Sequence, residues 1–446
     1  MKNHFALTAM QSLSLGFAIL ILMGTFLLML PISVMSAKTV SFLDALFTAT
    51  SAVSTTGLGV VDTGSFFSRF GQTVILVLIQ IGGLGYMIFI GLLLLGFKKR
   101  LSLGNTELLH ESIARPSSED VIKFSKKIIV FTVFFEALGL LLFISYWSRF
   151  LPFHEALYTS LFHSVSAFCT AGFSLYSDSL TAYRDSLFFN CSVMFICFSG
   201  SIGFFVLNDL YLFLKKFFRR KYPWGFSAHT KLAVSVMGLL IIAGIFVICF
   251  LGEAAVGSTF KEQVVNSTFQ VVSAVTTTGF NTVDIGRLSD AGLWLIAVLM
   301  FAGACPGGTA GGIKTTTLGL ISLSVYSLLM GREGVNVFYR RVPQETIMRA
   351  YAIAVIVLIW IVIAMGIMLV SEKEASALAV LFEITSAAGT VGLSTGITSS
   401  LSVTGKIVII MTMFLGRVGP IAIGYSLIGK PRPVNFAYSK AQILVG

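Results

Sequence analysis

Charge is what this chain has least of. Asp, Glu, Lys and Arg make up 11% of its 446 residues and hydrophobic residues 56%, where a soluble domain carries about 25% charge. A free-standing soluble fold is excluded, and an all-α integral membrane protein is implied. Cysteine is also sparse. The five, Cys169, Cys191, Cys197, Cys249 and Cys305, are scattered through apolar segments. They offer neither a disulfide framework nor a metal-ligand cluster, and each reads as a small buried hydrophobe. The formal net charge of +11 has the sign that nucleic acid attracts. The basic residues gather just beyond apolar spans, however, where membrane loops carry them, so no nucleic-acid partner is expected. No soluble nucleotide-binding domain and no ATPase motif is found. GGTAGGIKT, from Gly307 to Thr315, approaches the phosphate-loop pattern, but Ile313 separates Gly312 from Lys314 and no strand precedes it. The expectation is a protein that is not an enzyme and holds no cofactor in this chain.

What the chain has is repetition. FQVVSAVTTTGF, from Phe269 to Phe280, has three relatives in the same sequence. With Gly279 laid over Gly57, Gly172 and Gly392, the flanking residues align without gaps. Phe47, Phe162, Phe269 and Phe382 stand ten positions upstream. Ser51, Ser166, Ser273 and Ser386 stand six upstream, each followed by Ala52, Ala167, Ala274 or Ala387. Thr55, Thr170, Thr277 and Thr390 stand two upstream. F-x-x-x-S-A-x-x-T-x-G is thus written four times, and such periodicity sets the architecture.

Each copy has three parts. A long apolar span comes first, at roughly 12–30, 127–147, 230–251 and 349–370. A short apolar helix follows, at roughly 42–54, 154–168, 261–275 and 376–388, too short to cross and therefore re-entrant. A second long span ends the unit, at roughly 70–97, 186–214, 291–330 and 403–428. The run from Ser12 to Leu30 exceeds a signal-peptide core of about 7–15 residues and reads as a retained span. Four pore units are expected at 1–100, 123–221, 228–331 and 345–429, with a tail at 430–446. They give eight crossings around one pseudo-fourfold pore. Lys98, Lys99, Arg100, Lys215, Lys216, Arg219, Arg220, Lys221, Arg340, Arg341 and Lys430 fall between units or in the tail, and far fewer basic residues fall within units. The positive-inside rule therefore puts both termini of a multi-pass cell-membrane protein in the cytoplasm. The short helices then enter from outside, among Asp44, Asp62, Asp178, Asp284, Asp290 and Glu372. These read either as an acidic vestibule that concentrates cations or as ordinary solvated loop charge.

Irregular backbone at membrane depth must be buried in protein or line a wet cavity. Four such stretches are satisfied most simply around one axis. The C-terminal ends of the short helices then point inward with partial negative charge, which favours a cation. The stretches are Ser54-Thr55-Thr56-Gly57, Cys169-Thr170-Ala171-Gly172, Thr276-Thr277-Thr278-Gly279 and Gly389-Thr390-Val391-Gly392. None carries a charge, so the ligands expected for an ion are rings of backbone carbonyls, not carboxylates. The competing reading is four sets of small residues that merely let helices pack closely.

The four units with their T-x-G segments resemble the Trk/Ktr/HKT superfamily of potassium transport proteins over nearly the whole chain, Ser12 to Gly429. The compact length is most similar to its bacterial Ktr membrane (pore) subunits. The resemblance implies K+ as transported ion, held at the filter carbonyls. Glycine at all four filter positions goes with potassium preference in that family, and serine in the first unit with sodium permeation; Gly57, Gly172, Gly279 and Gly392 match the potassium pattern. It also implies a homodimer in membrane lipid and a cytoplasmic nucleotide-binding regulatory ring. The residues leave any Na+ dependence open.

A second layer lies 24 to 28 residues beyond the filter glycines, where Gly82, Gly200, Gly303 and Gly416 align. Next come Gly83, Ser201, Ala304 and Arg417, and then, three past the first set, Gly85, Gly203, Pro306 and Gly419. The third unit is broken by Gly303-Ala304-Cys305-Pro306-Gly307-Gly308-Thr309-Ala310-Gly311-Gly312, which no helix tolerates intact. Below a filter such a segment is a candidate gate; a passive kink is the plainer alternative. Arg417 is costly inside an apolar span. It is expected to bond the carbonyls of the broken segment, or else to snorkel away. The resembled family carries both a pore-obstructing loop in its third unit and an arginine that helps hold it. Glu136 and Glu383 are further intramembrane candidates, and pairing of either with Arg417 stays open. Two other functions compete: a less selective Na+/K+ pore, and a secondary transporter of a small solute with a midplane site between inverted repeats. The copies here share one orientation, against the latter.

Overall fold

The computed structural model describes residues 9–35, 38–85, 121–219, 225–252 and 259–419. Residues 86–100 of the first expected unit, 420–429 of the fourth, most of the basic stretch at 98–126 expected as a cytoplasmic docking surface, and the tail at 430–446 lie outside the described residues. Unit 1 contains α1 (Ala9–Leu28), α2 (Phe42–Val53) and α3 (Arg69–Leu84). Unit 2 contains α4 (Val121–Trp147), α5 (Phe153–Phe168), α6 (Leu187–Ser201) and α7 (Phe204–Phe218). Unit 3 contains α8 (Ala228–Leu251), α9 (Phe260–Val275), α10 (Asp290–Phe301) and α11 (Thr315–Leu329). Unit 4 contains α12 (Gln344–Ser371), α13 (Ala377–Gly389) and α14 (Val403–Val418). A two-stranded hairpin, β1 (Asn336–Val337) and β2 (Arg340–Arg341), joins units 3 and 4, with Asn336 opposite Arg341.

Among the described residues, Phe124–Trp147, Ala228–Leu251 and Gln344–Ser371 are each long and apolar enough to cross a membrane alone, and α6 with α7 makes a fourth candidate bent by 101°. The short helices α2, α5, α9 and α13 are the re-entrant ones. Their aligned phenylalanines Phe47, Phe162, Phe269 and Phe382 are all at most 1% exposed, which seats each short helix against its unit's two spans. Each second span starts on a serine. Ser68, Ser186, Ser289 and Ser402 accept from the backbone N–H of Gly71, Phe189, Gly292 and Gly405, an N-cap worth about 1 kcal/mol apiece.

The ring closes because each second span packs on the short helix of the next unit: α3 on α5, α6 on α9, α10 on α13, and α14 back on α2. At the last junction, where no chain connection exists, Lys406 Nζ lies 2.7 Å from Asp44 Oδ1. Within a unit, contact is closest at the aligned glycines. A Cβ on Gly82, Gly200 or Gly416 would collide with the carbonyl of Val53, Phe168 or Ala388, in each case the residue four before the filter glycine. The third unit departs. Gly303 faces its own loop, with the Gly311 carbonyl 3.1 Å from a built Cβ.

One expectation is corrected. Residues 186–214 read as a continuous span, with the break confined to unit 3. The chain breaks in unit 2 as well, between α6 and α7, at Gly203 with φ +91°. Helices α3 and α14 end at the equivalent Gly85 (φ +75°) and Gly419 (φ +91°). A positive φ takes the backbone out of the helix, and glycine adopts it without Cβ strain. The row Gly85, Gly203, Pro306, Gly419 is therefore a shared break, and unit 3 differs in the length of irregular chain inserted there.

Gly82→Val is expected to destabilise the detergent-solubilised protein by more than about 2 kcal/mol, because its side chain meets backbone that cannot yield. Gly238→Val, where a Cβ has nothing within 4 Å, serves as the comparison. Equal melting temperatures for the two variants would remove the close-packing assignment.

Candidate functional site

The four T-x-G stretches share one backbone geometry, and the repeat's spacing follows from it. Each short helix ends with two bonds. Thr55, Thr170, Thr277 and Thr390 N–H donate to Ala52, Ala167, Ala274 and Ala387 O at 3.1–3.2 Å. Thr56, Ala171, Thr278 and Val391 N–H donate to Ser51, Ser166, Ser273 and Ser386 O at 2.8–2.9 Å. This is the paired closure of a helix whose next residue turns left-handed. Glycine normally fills that position, but here it is threonine in all four copies, with φ of +53°, +50°, +53° and +50°. A β-branched residue there costs about 1–2 kcal/mol, and such strain collects where a backbone must be held for a function. The motif serine has a second task in three units. Ser51 Oγ and Ser386 Oγ accept from Gly57 N and Gly392 N at 3.0 Å, and Ser166 Oγ donates to Phe173 O at 2.8 Å.

The glycines then form a closed circuit. A Cβ on Gly57 would strike Ala171 O, on Gly172 Thr278 O, on Gly279 Val391 O, and on Gly392 Thr56 O. Each struck carbonyl belongs to the residue just before the next unit's glycine, so the four stretches ring one axis in chain order. Among the described residues no hydrogen bond reaches these four carbonyls. The neighbouring hydroxyls are engaged elsewhere. Ser54 Oγ bonds Thr56 Oγ1 at 2.6 Å, and Thr276 Oγ1 bonds Thr278 Oγ1 at 2.8 Å. What the ring presents is backbone oxygen. Above it lies a cavity of about 290 Å³ that Gly57, Gly172, Gly279 and Gly392 all line.

Of the six outer acids, Asp62 lines that cavity. Asp44 pairs with Lys406, Asp284 with Arg287 at 3.1 Å, Asp178 accepts from Thr181 Oγ1, and Glu372 accepts from Ser402. Asp290 sits in the first turn of α10, where negative charge is favoured. Solvated or locally paired charge describes most of them better than a vestibule.

Directly against the threonines lies the broken segment of unit 3, residues 302–314. Thr309 is its centre. Its carbonyl accepts from Thr55 Oγ1 at 3.3 Å, its hydroxyl lies 3.4 Å from Thr170 Oγ1 and donates to Phe168 O at 2.9 Å, and its N–H donates to Gly200 O at 3.2 Å. Gly303 approaches Thr277, and Gly311 abuts Thr390. The segment thus touches the left-handed threonine of every unit. Cys305 N–H donates to Ser201 O at 3.1 Å and Phe204 N–H to Gly307 O at 2.9 Å, while Gly308 packs on the Gly200 and Ser201 carbonyls. These contacts dock the segment into the break of unit 2. Pro306, Ala310 and Gly312 complete the turn.

Arg417 does what the sequence suggested. Its guanidinium donates to Thr309 O, to Gly82 O, and to Gly83 O at 3.0 Å. Gly82 and Gly83 lie in the last turn of α3; Gly82 O also accepts from Gly85 N–H at 3.2 Å, and Gly83 O has no helical partner among the described residues. The planar fork bonds both and clamps the unit 3 segment to unit 1. Neither glutamate pairs with it among the described residues. Glu136 Oε1 lies 3.9 Å from Cys169 Sγ, and Glu383 is bound by Ser394 and Thr398. A second cation was missed. Lys314 Nζ donates to Ala310 O at 2.7 Å and Gly311 O at 2.9 Å, so two fixed cations hold three consecutive carbonyls, 309 to 311. The signal was present as a lysine inside an apolar span just past the glycine run; it served only to reject a phosphate loop.

Arg417→Met frees the Thr309 carbonyl and cuts the clamp to α3. Charge-assisted bonds of this kind correspond to about tenfold in an equilibrium, so cation flux in liposomes is expected to rise by roughly that factor with the ratio between cations unchanged. Wild-type flux in this variant would show that the segment does not restrain passage.

Comparison with known proteins agrees with this geometry. The profile of the TrkH family, described as a cation transport protein, matches residues 5–428. "Ktr system potassium uptake protein B" of Bacillus subtilis is 36% identical over 98% of this chain and 97% of its own length. "Potassium/sodium uptake protein NtpJ" of Enterococcus hirae is 35% identical over 99% of this chain and 98% of its own. The crystal structure of the potassium transporter TrkH from Vibrio parahaemolyticus shares the fold, with a TM-score of 0.73 at 18% identity over 97% of this chain and 87% of that one. A family profile that spans nearly the entire sequence, on a fold with four re-entrant units, places this multi-pass membrane chain in the TrkH family of cation transport proteins.

Proposed function

We propose that the protein is the potassium-selective, pore-forming subunit of a gated K+ uptake system, with one pseudo-fourfold pore per chain. The observation that carries this reading is the circuit of four unbonded carbonyls, Thr56, Ala171, Thr278 and Val391, each against a glycine. Carbonyl dipoles replace the hydration shell of an ion the size of K+. The ends of α2, α5, α9 and α13 add negative potential. The buried hydroxyls of Thr277 and Thr390, without a protein partner among the described residues, are free to bind the ion or its last waters. Residues 303–312 act as the gate, with Arg417 and Lys314 holding it. No step needs a chemical energy source; the ion's own gradient suffices.

A less selective Na+/K+ pore, or a sodium dependence, is the second reading, favoured by the name of the Enterococcus relative. The four glycines favour potassium: none is replaced by a serine whose hydroxyl would narrow the ring. With the loops between units on the cytoplasmic side, both termini are cytoplasmic. The β1–β2 hairpin then presents Phe338 (φ +46°) and a fully exposed Tyr339 (φ +64°) to that side. Aromatic residues held left-handed in a tight turn suit a docking tip. The tip is a candidate contact for a cytoplasmic regulatory ring, a partner in keeping with the multi-component Ktr system named for the Bacillus relative, and the membrane subunit is proposed to be a homodimer.

Liposomes loaded with the protein are expected to take up Rb+ and K+ far better than Na+. Gly279→Ser places its side chain against Val391 O and is expected to raise the share of Na+ or abolish uptake. A K+/Na+ ratio unmoved by this change would remove the filter assignment.

A further inference from the structure

One position of the repeat carries chemistry that neither the ring nor the gate uses. The residue after each aligned phenylalanine, nine before each filter glycine, is Thr48, His163, Gln270 or Glu383. All four are polar, and none is more than 2% exposed. A polar group sealed at membrane depth is costly without a partner. Three of the four find partners in the return loop beyond their own glycine. His163 Nε2 lies 3.1 Å from Ser174 Oγ and accepts from Leu175 N–H at 3.4 Å. Gln270 Nε2 donates to Thr282 Oγ1 at 3.2 Å. Glu383 accepts from Ser394 Oγ at 2.9 Å on one oxygen and from Thr398 Oγ1 on the other. Thr48 turns back to Asp44 O of its own helix at 2.8 Å. Units 2, 3 and 4 are therefore braced from short helix to return loop, and unit 1 is not.

Glu383 carries the argument furthest. It is wholly buried, both its oxygens accept hydroxyls, and among the described residues no Lys or Arg pairs with it. Ser394 lies two residues past Gly392, and Thr398 Oγ1, whose one proton goes to Glu383, lies 2.8 Å from Ser394 Oγ. The brace thus closes a triangle on the chain that leaves the ring. Val391 O, one of the four ring carbonyls, stands at the other end of that short segment, against Gly279.

We propose that Glu383, with Ser394 and Thr398, is a specificity-positioning site: it fixes the fourth return loop, and through it the Val391–Gly392 quarter of the ring, at a spacing that favours K+ over Na+. The proposal rests on the potassium reading above. A carbonyl ring discriminates by its size only while it resists closing around a smaller ion, and a loosened quarter lets it contract. The carboxylate's charge, by contrast, attracts both monovalent cations alike, so the two effects separate in the K+/Na+ ratio.

The test compares K+ and Na+ uptake by the full chain in liposomes for wild type, Glu383→Ala, Glu383→Gln, the Ser394→Ala/Thr398→Val double variant, and Thr48→Ala. Loss of the brace is expected to lower the K+/Na+ ratio about tenfold in Glu383→Ala and in the double variant, with K+ turnover at saturation retained. Glu383→Gln keeps one acceptor and falls less. Thr48→Ala, which has no brace to lose, keeps the wild-type ratio. The double variant leaves the carboxylate in place, so a ratio that falls in the Glu383 variants but not in the double variant overturns the proposal in favour of a charge effect. An unmoved ratio in Glu383→Ala overturns it outright. Should Glu383→Ala fail to insert, the double variant decides alone. A wild type that takes up both ions equally removes the potassium reading and this proposal with it, whereas a selective wild type with unmoved variants removes only the proposal.

Discussion

A helix that stops inside a membrane leaves carbonyls that water cannot reach. Everything central in this protein answers that one constraint. Four short helices stop near one plane. Each satisfies two carbonyls by the left-handed closure at Thr55, Thr170, Thr277 and Thr390. The chain that emerges then carries its next carbonyls sideways against the glycine of the adjacent unit. Among the described residues no donor is supplied to those groups, and a membrane interior tolerates them only where an ion or water can be the partner. The lack of a donor among the described residues at Thr56, Ala171, Thr278 and Val391 is thus what the proposed ion site rests on.

The same constraint recurs one layer away, where the second spans break. Ending α3 at Leu84 and breaking α6 from α7 creates a second set of helix-end carbonyls, at Gly82, Gly83, Gly200 and Ser201, of which Gly82 O also accepts from Gly85 N–H at 3.2 Å. Here the protein supplies donors. Arg417 takes Gly82 and Gly83; the N–H groups of Cys305 and Thr309 take Ser201 and Gly200. The unit 3 segment and the arginine are the solution to this second problem. If the segment is the gate proposed above, their bonds are also what a passing ion would disturb, since Thr309 stands against the threonines of units 1 and 2.

Much of this was legible before the fold. Composition implied a membrane chain, and the spacing F-x-x-x-S-A-x-x-T-x-G located all four helix ends, where the closing bonds go to the backbone carbonyls of the Ser and Ala and the serine hydroxyl is used besides in three units. Arg417 was readable because a cation in an apolar span must find acceptors. The break in unit 2 was not, since a single Gly203 inside FSGSIGFFV is compatible with a continuous helix; only the row it shares with Gly85 and Gly419 marks it. The serine caps at Ser68, Ser186, Ser289 and Ser402 escaped because their distance from the filter glycine varies with the return loop. The braces escaped for a different reason: Thr48, His163, Gln270 and Glu383 share a place and a task but no chemistry, and a search for sameness passes over them.

That last contrast says why one chain of four unequal copies is used where four equal chains would make a rounder pore. Identical subunits would place four copies of residues 303–312 on one axis, where Thr309 alone already meets Thr55, Thr170 and the Phe168 carbonyl. There is room for one. They would equally place four guanidiniums at the level of Arg417, with carbonyl partners for one and repulsion among the rest. Fourfold geometry is therefore kept in the frame and at the ring, where in the proposed function the four carbonyls share one ion. Away from it the copies diverge because each further element on the axis can be supplied once. The covalent link between units makes that division stable, since it fixes which neighbour receives the segment of unit 3 and which supplies the arginine that holds it.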